Sequence, residues 1–216
     1  MEIITGLIDF ILHMDKHLTE IIHDYGTLTY AILFLIIFVE TGVVIMPFLP
    51  GDSLLFAAGL LAANEENNLN VWLVLGLLVV AAILGDTVNY LIGKYLGPKV
   101  FSRDYKLLKR EHLEKTQQFY DKHGGKTIIY ARFIPIIRTF APFVAGIGKM
   151  NYGKFINFNI IGGTLWVVLF TMAGYLFGNI PVVKDNFTKI IMGIIVVSLL
   201  PAIIEIIKGS KKTATS

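Results

Sequence analysis

Apolar residues in this chain fall into long runs separated by short polar breaks, and the runs differ in how often they are interrupted. Residues 1–27 carry Ile3, Ile4, Leu7, Ile8, Ile11 and Leu12 at helical spacing among Glu2, Asp9, Asp15, Lys16, Glu20 and Asp24. That pattern predicts an amphipathic interfacial helix, too interrupted to span a bilayer. Residues 28–63 form a long apolar region into which Glu40 intrudes, and which Thr41, Gly42, Pro47, Pro50, Gly51 and Asp52 break. A polar loop at 64–70 holds Glu65 and Glu66 and no Lys or Arg. Residues 71–97 suffice for a hydrocarbon core of about 30 Å, which takes about 20 residues. The one long hydrophilic stretch, 98–126, has Leu107, Leu108, His112, Leu113, Thr116 and Phe119 placed to form one face of a surface helix. Gly124-Gly125 is expected to end it. Residues 127–150 are apolar but broken by Arg132, Pro135, Arg138, Pro142, Gly146 and Gly148. Residues 155–178 are a second spanning candidate, with Trp166 inside and Gly162-Gly163 as a close-packing point. Residues 190–207, with Pro201 inside, are a last span, followed by a tail bearing Lys208, Lys211 and Lys212.

Composition turns this pattern into a class. Of 216 residues, 55% are hydrophobic and 16% charged, against about 25% charged in an ordinary soluble domain. Such a chain lacks the polar surface of a water-soluble globule, and its hydrophobicity excludes intrinsic disorder. It contains no cysteine, which excludes disulfides, thiol chemistry and Cys-ligated zinc. Residues 1–10 are acidic rather than basic, and no small-residue cleavage site follows an apolar core, so insertion through internal segments is expected. The net charge of +3 reads as cytoplasmic loops rather than nucleic-acid binding.

Charge also sets a topology. Segment 98–126 carries eight Lys or Arg against four acids, which places it, with the C-terminus, on the cytoplasmic side. Segment 71–97 then runs inward, 155–178 outward and 190–207 inward. Residues 127–150 must enter and leave on the cytoplasmic side as a re-entrant hairpin. By the same logic 28–63 is a hairpin entering from outside, although a full span over 30–46 with an inside N-terminus competes with it. The expected fold is an all-α polytopic membrane protein: two oppositely oriented re-entrant hairpins plus transmembrane helices, arranged like an inverted-repeat transporter. Ala58-Gly59 and Ala145-Gly146 echo each other in the hairpins, as do Gly93 to Gly97 and Gly174 to Gly178 in the spans. The glycine-rich spans are compatible with packing inside one chain or in a homo-oligomer.

The chemistry rests on ionisable residues in apolar surroundings. Glu40 and Asp52 lie in the first broken region, Arg132 and Arg138 in the second. Each costs roughly 2.5–3.5 kcal/mol near the bilayer centre by insertion scales unless paired. A structural ion-pair network is the plainer reading, and a functional site the favoured one. Arginine stays protonated and offers a planar fork to phosphate oxygens, while a buried carboxylate can take up and release a proton. Arg132 and Arg138 are therefore candidates for anion binding, and Glu40 and Asp52 for proton coupling. The breaks at Pro47, Pro50, Gly51, Pro135, Pro142 and Gly146 are expected to open half-helix ends that add backbone N–H groups. Asp86 and Asn89 are candidates to support the site from the 71–97 span, or equally to cap packing at the interface. Lys94 is expected to reach the cytoplasmic surface. His13, His17, His23, His112 and His123 show no metal-ligand spacing. No phosphate-binding loop, nucleophile elbow or dinucleotide fingerprint is present, so a transporter without cofactor or metal is expected rather than an enzyme.

Four sets of residues carry a family resemblance: Phe48-Leu-Pro-Gly-Asp-Ser-Leu-Leu55 with Ala58-Gly59; Gly85-Asp86 with Tyr90-Leu-Ile-Gly93; Tyr120-Asp-Lys-His-Gly-Gly125 with Arg132-Phe-Ile-Pro135, Arg138-Thr139, Pro142 and Ala145-Gly146; and 157–178 with Gly163, Trp166 and Gly174-Tyr175. In order and spacing they resemble the DedA family, also called the SNARE-associated or VTT-domain family. The resemblance implies a lipid transporter or scramblase of the bacterial cytoplasmic membrane, with two re-entrant hairpins facing each other. It implies undecaprenyl phosphate or a phospholipid such as phosphatidylethanolamine as substrate, dependence on the proton-motive force, and essential roles for Glu40, Asp52, Arg132 and Arg138. Two readings compete: a proton-coupled transporter of small solutes, and a structural protein recruiting partners through segment 98–126.

Overall fold

The computed structural model describes residues 27–43, 51–100, 110–186 and 193. Apart from Thr27 and Gly193, the expected interfacial helix at 1–27, the last span at 190–207 and the tail lie outside the described residues, as do Pro47 and Pro50. All described elements are helical. They are α1 (Leu28–Gly42), α2 (Gly51–Ala63), α3 (Val71–Val100), α4 (Arg110–His123), α5 (Thr127–Ala131), α6 (Pro135–Ile147), α7 (Tyr152–Gly178) and α8 (Pro181–Asp185). Short 3-10 turns at Glu65–Asn67 and Gly124–Lys126 join them.

Two helices are long and apolar enough to cross a bilayer, Val71–Leu96 and Tyr152–Gly178. Both match the expected spans. Their outer faces are apolar: Leu73, Val80, Leu84 and Leu91 on α3 and Ile161, Leu165 and Leu169 on α7 are exposed. In water such stripes would be an aggregation hazard, whereas in lipid they are the solvated surface. Trp72 and Tyr95, the most exposed aromatics of α3 at 72% and 71%, lie about 35 Å apart along the helix at 1.5 Å per residue. That separation fits the two interfaces of a bilayer, where amphipathic rings settle. The 15 residues of α1 and the 13 each of α2 and α6 reach only about 20 Å and are too short to span.

Local sequence explains the helix ends. Asn70 caps α3, its Oδ1 accepting the N–H groups of Trp72 (2.9 Å) and Leu73 (3.2 Å). Asn67 donates to the Leu61 carbonyl at 2.9 Å and so satisfies the end of α2. Gly124 follows α4 at φ +59°, the left-handed position that favours glycine after a helix. Ile134 is extended and Pro135 opens α6, as expected for a residue before proline. Pro142 and Gly146, expected among the breaks, instead lie inside α6. Pro142 removes one helical donor without ending the helix, because the neighbouring packing holds the backbone in register.

The chain divides into two compact units, described separately. The first takes its described residues from 27–31, 51–74, 170–186 and 193. Here α2 lies directly on the end of α7: a Cβ at Gly59 would come 1.9 Å from the Thr171 carbonyl oxygen, and one at Gly174 would come 2.0 Å from that of Phe56. Phe56 and Phe177 pack beside this contact, with ring centroids 6.1 Å apart.

The second unit comprises 32–43, 75–100 and 110–169. Its core gathers Tyr90, Ile128, Ala131, Ala141, Ala145 and Phe155, all buried. Tyr90 stacks on Phe155 at 4.5 Å, and its hydroxyl donates to the Met150 carbonyl at 2.5 Å. Helix α6 lies on α3 as α2 lies on α7: a Cβ at Gly93 or Gly146 would come 2.1 Å from the carbonyl oxygen of Phe143 or Tyr90. In each unit a hairpin glycine and a span glycine meet backbone to backbone. These four glycines are thus used within the chain.

Candidate functional site

In the second unit, α1, α3, α6, α7 and the break between α5 and α6 bring their polar side chains into an apolar interior. Arg132 follows the last turn of α5 and is 2% exposed, one of the largest fully buried side chains. Its Nη2 donates to Asp86 Oδ2 and to Asn159 Oδ1, each at 2.6 Å. Asn159 in turn donates through Nδ2 to the Ile83 carbonyl at 3.0 Å, which fixes which amide atom faces the guanidinium. Gly163 leaves the room: a Cβ there would sit 3.2 Å from Arg132 Nη2. Nη2 is therefore locked, whereas Nε and Nη1 are buried with no hydrogen-bond partner among the described residues. Three N–H groups are left there, where desolvation is costly.

Arg138, one turn into α6, pairs with Glu40 Oε1 at 2.9 Å, the two side chains being 12% and 4% exposed. Both arginines face one indole. Arg132 Cζ lies 5.5 Å and Arg138 Cζ 5.3 Å from the Trp166 ring centroid, within cation–π range. Trp166 is fully buried, so the ring sees little competing water. Asn89 ties the elements together. Its Nδ2 donates to the carbonyls of Thr41 (3.1 Å) and Thr139 (3.0 Å), next to Glu40 and Arg138 respectively. Its Oδ1 is buried without a partner. A close approach of α1 to α3 makes this possible, because a Cβ at Gly85 would fall 1.9 Å from Thr41 Oγ1.

The cluster thus unites Glu40, Asp86, Asn89, Arg132 and Arg138 of the residues singled out by sequence. Asp86 is more than a support: it is the direct ion partner of Arg132. Asp52 belongs to the first unit, half-buried in the first turn of α2, where a carboxylate favours the helix dipole. Sequence reasoning missed Asn159, and it noted Gly163 and Trp166 for packing and for the family resemblance but not for the site. An Asn inside an apolar span is the linear signal for Asn159. On the basic segment, Tyr120 on α4 donates to the Ala141 carbonyl at 2.9 Å. Burial, with Asp86 adding to it, pushes its phenol well above the ordinary tyrosine range, so it remains a donor. Among the described residues no group of His, Cys, Asp and Glu could hold a metal ion.

Spanning helices with lipid-facing apolar stripes, around ion pairs shut inside the protein, define a helical membrane protein with a buried charge network. The VTT domain matches residues 49–176, and the chain belongs to that family, the DedA family. It is 60% identical over 215 residues to Protein DedA of Escherichia coli strain K12, covering 99% of this chain and 98% of that one. It is 46% identical over 170 residues to an uncharacterized membrane protein of Mycobacterium leprae (78% of this chain, 75% of that one). It is 34% identical over 183 residues to the inner membrane protein YqjA of Escherichia coli K12 (84% and 82%). No solved structure matches.

Proposed function

We propose that this protein is a proton-linked translocase for a phosphate-bearing lipid of the bacterial cytoplasmic membrane, undecaprenyl phosphate foremost. The observation that carries the reading is the pair of buried Arg132 nitrogens, Nε and Nη1, that have no hydrogen-bond partner among the described residues. Phosphate oxygens are strong acceptors of charge-assisted hydrogen bonds, and Asp86 and Asn159 hold Nη2 so that the Nε and Nη1 donors stay fixed for them.

Charge balance supplies the coupling. Two arginines and two carboxylates, Glu40 and Asp86, sum to zero when ionised. A phosphate entering this interior would leave uncompensated negative charge, which low-dielectric surroundings penalise. A proton arriving on Glu40 would cancel it and release Arg138 to join Arg132 on the phosphate. Asp52 is a further candidate for proton transfer. The tail of the lipid stays in the bilayer, so only the head group crosses.

Several features support a two-fold repeat with re-entrant hairpins. Helices α1, α2 and α6 are shorter than a bilayer. The glycine contacts of α2 on α7 and of α6 on α3 are counterparts, with hairpin and span exchanged. The basic segment and the C-terminus then face the cytoplasm, and the name of the relative YqjA accords with an inner-membrane location.

The test is transbilayer movement of fluorescent undecaprenyl phosphate and phosphatidylethanolamine in proteoliposomes, with and without a pH gradient. We expect undecaprenyl phosphate to move, faster with the gradient, and Arg132→Ala to abolish movement, with Arg132→Lys restoring little because an ammonium cannot reproduce the five fixed donors of a guanidinium. Movement unchanged in Arg132→Ala would remove the phosphate role. Movement of phosphatidylethanolamine alone would reassign the substrate, and movement of neither would end the translocase reading.

A further inference from the structure

A second feature of the second unit is an open cavity of about 720 Å³ between α4, the end of α6 and the start of α7, a size within the roughly 300–1,000 Å³ of ligand pockets. None of Glu40, Asp86, Arg132 and Arg138 lines it. Its inner wall is apolar, formed by Val144, Ala145, Met150 and Phe158. Its polar lining is made of Tyr120 and the amides Gln117, Asn151 and Asn157 with Lys154, and among the described residues no carboxylate lines it.

Among the described residues the charge around the mouth is mainly basic. Lys154 is exposed, and Asn151 Oδ1 accepts its backbone N–H at 3.2 Å, so the cavity opens on the capped N-terminal turn of a 27-residue helix. Exposed Lys149 adjoins Gly148 and Met150 in the chain, and exposed Lys122 and Lys126 bracket Gly124 and Gly125, all four neighbours being cavity residues. Asp121 is the nearby acid among the described residues, and Gln117 Nε2 donates to it at 3.0 Å. Tyr120, buried and tied to Ala141, stays neutral. An apolar wall under a cationic rim is complementary to an amphiphile with an anionic head, and poorly suited to a free hydrophilic anion, which the wall would desolvate without compensation.

The cavity also adjoins the buried arginines through the chain. Phe158 in its wall precedes Asn159, which holds Arg132. We propose that this cavity is a second lipid site, a vestibule in which the phosphate head of an anionic lipid from the adjoining leaflet rests on Lys154 and the first turn of α7. The lipid chain lies along Val144, Met150 and Phe158. Onward transfer to Arg132 rests on the translocase reading, whereas binding at the vestibule does not.

The chain has no cysteine, so Gln117→Cys can carry a single bimane at the rim. The full chain in nanodiscs is titrated with acyl-brominated phosphatidic acid or phosphatidylcholine, and quenching is read. We expect phosphatidic acid to quench at roughly five-fold lower mole fraction, the factor one lysine at a membrane surface supplies. Lys154→Glu should erase that preference. Asn157→Trp, at an exposed position of α7, should fill the cavity and weaken quenching by both lipids. Arg132→Ala should leave the preference intact even as transport fails, which separates this site from the translocase reading. Equal quenching by the two lipids, or a preference that survives Lys154→Glu, would overturn the proposal.

Discussion

At the scale of single residues, the decisive asymmetry is within the Arg132 guanidinium, where Nη2 is engaged and Nε and Nη1 are not. An arginine 2% exposed is tolerated only with a counter-charge, and Asp86 provides it at 2.6 Å. Asp86→Asn should therefore destabilise by about 3–5 kcal/mol, the usual cost of leaving one member of a buried pair alone. The double variant Asp86→Leu/Arg132→Met should regain most of that stability, since hydrophobic replacement of a whole buried pair is often neutral or better. It should regain no transport. Reversible unfolding in detergent micelles, read beside the proteoliposome assay, checks both halves. A double variant as unstable as Asp86→Asn would mean that the pair is needed for packing rather than charge balance.

At the scale of helices, close backbone approach matters more than side-chain fit. A β-carbon placed about 2 Å from a carbonyl oxygen, as at Gly59, Gly174, Gly93 and Gly146, cannot be absorbed by rotating a side chain. Gly59→Ala and Gly146→Ala should each cost about 1–3 kcal/mol, the range for overpacking, and by similar amounts, since the two contacts are alike. Gly76→Ala is the control, with nothing within 4 Å of its added carbon, and should gain up to about 1 kcal/mol from helix propensity. Thermal or denaturant unfolding of the three variants decides between packing and propensity.

At the scale of the molecule, the apolar stripes and the aromatic ends of α3 fix how the protein meets the bilayer. On the proposed reading, the basic segment faces the cytoplasm. A single cysteine at Glu65, exposed between α2 and α3, should react with an impermeant maleimide from outside the cell. One at Lys122, exposed near the end of α4, should react only once the membrane is opened. The reverse labelling would invert the topology and place the vestibule in the outer leaflet.

Sequence by itself determined the class, because burial in lipid leaves a plain mark: runs of about 20 apolar residues, a lone basic segment, and charges where none should survive unpaired. It also determined the residue types of the site and the punctuation at Asn70, Gly124 and Pro135, which act on their own backbone neighbours. It could not choose partners. Glu40 and Arg138 are 98 positions apart and Asp86 and Arg132 are 46 apart, and any pairing of acids with arginines would read the same along the chain. Tertiary structure made that choice by bringing α1, α3 and α7 together where glycine lets backbones touch. It gave Asn159 and Gly163 their roles, and it kept Pro142 inside a helix that local rules would have ended there. Contacts between distant segments depend on helix orientation and separation, which only the packed chain specifies.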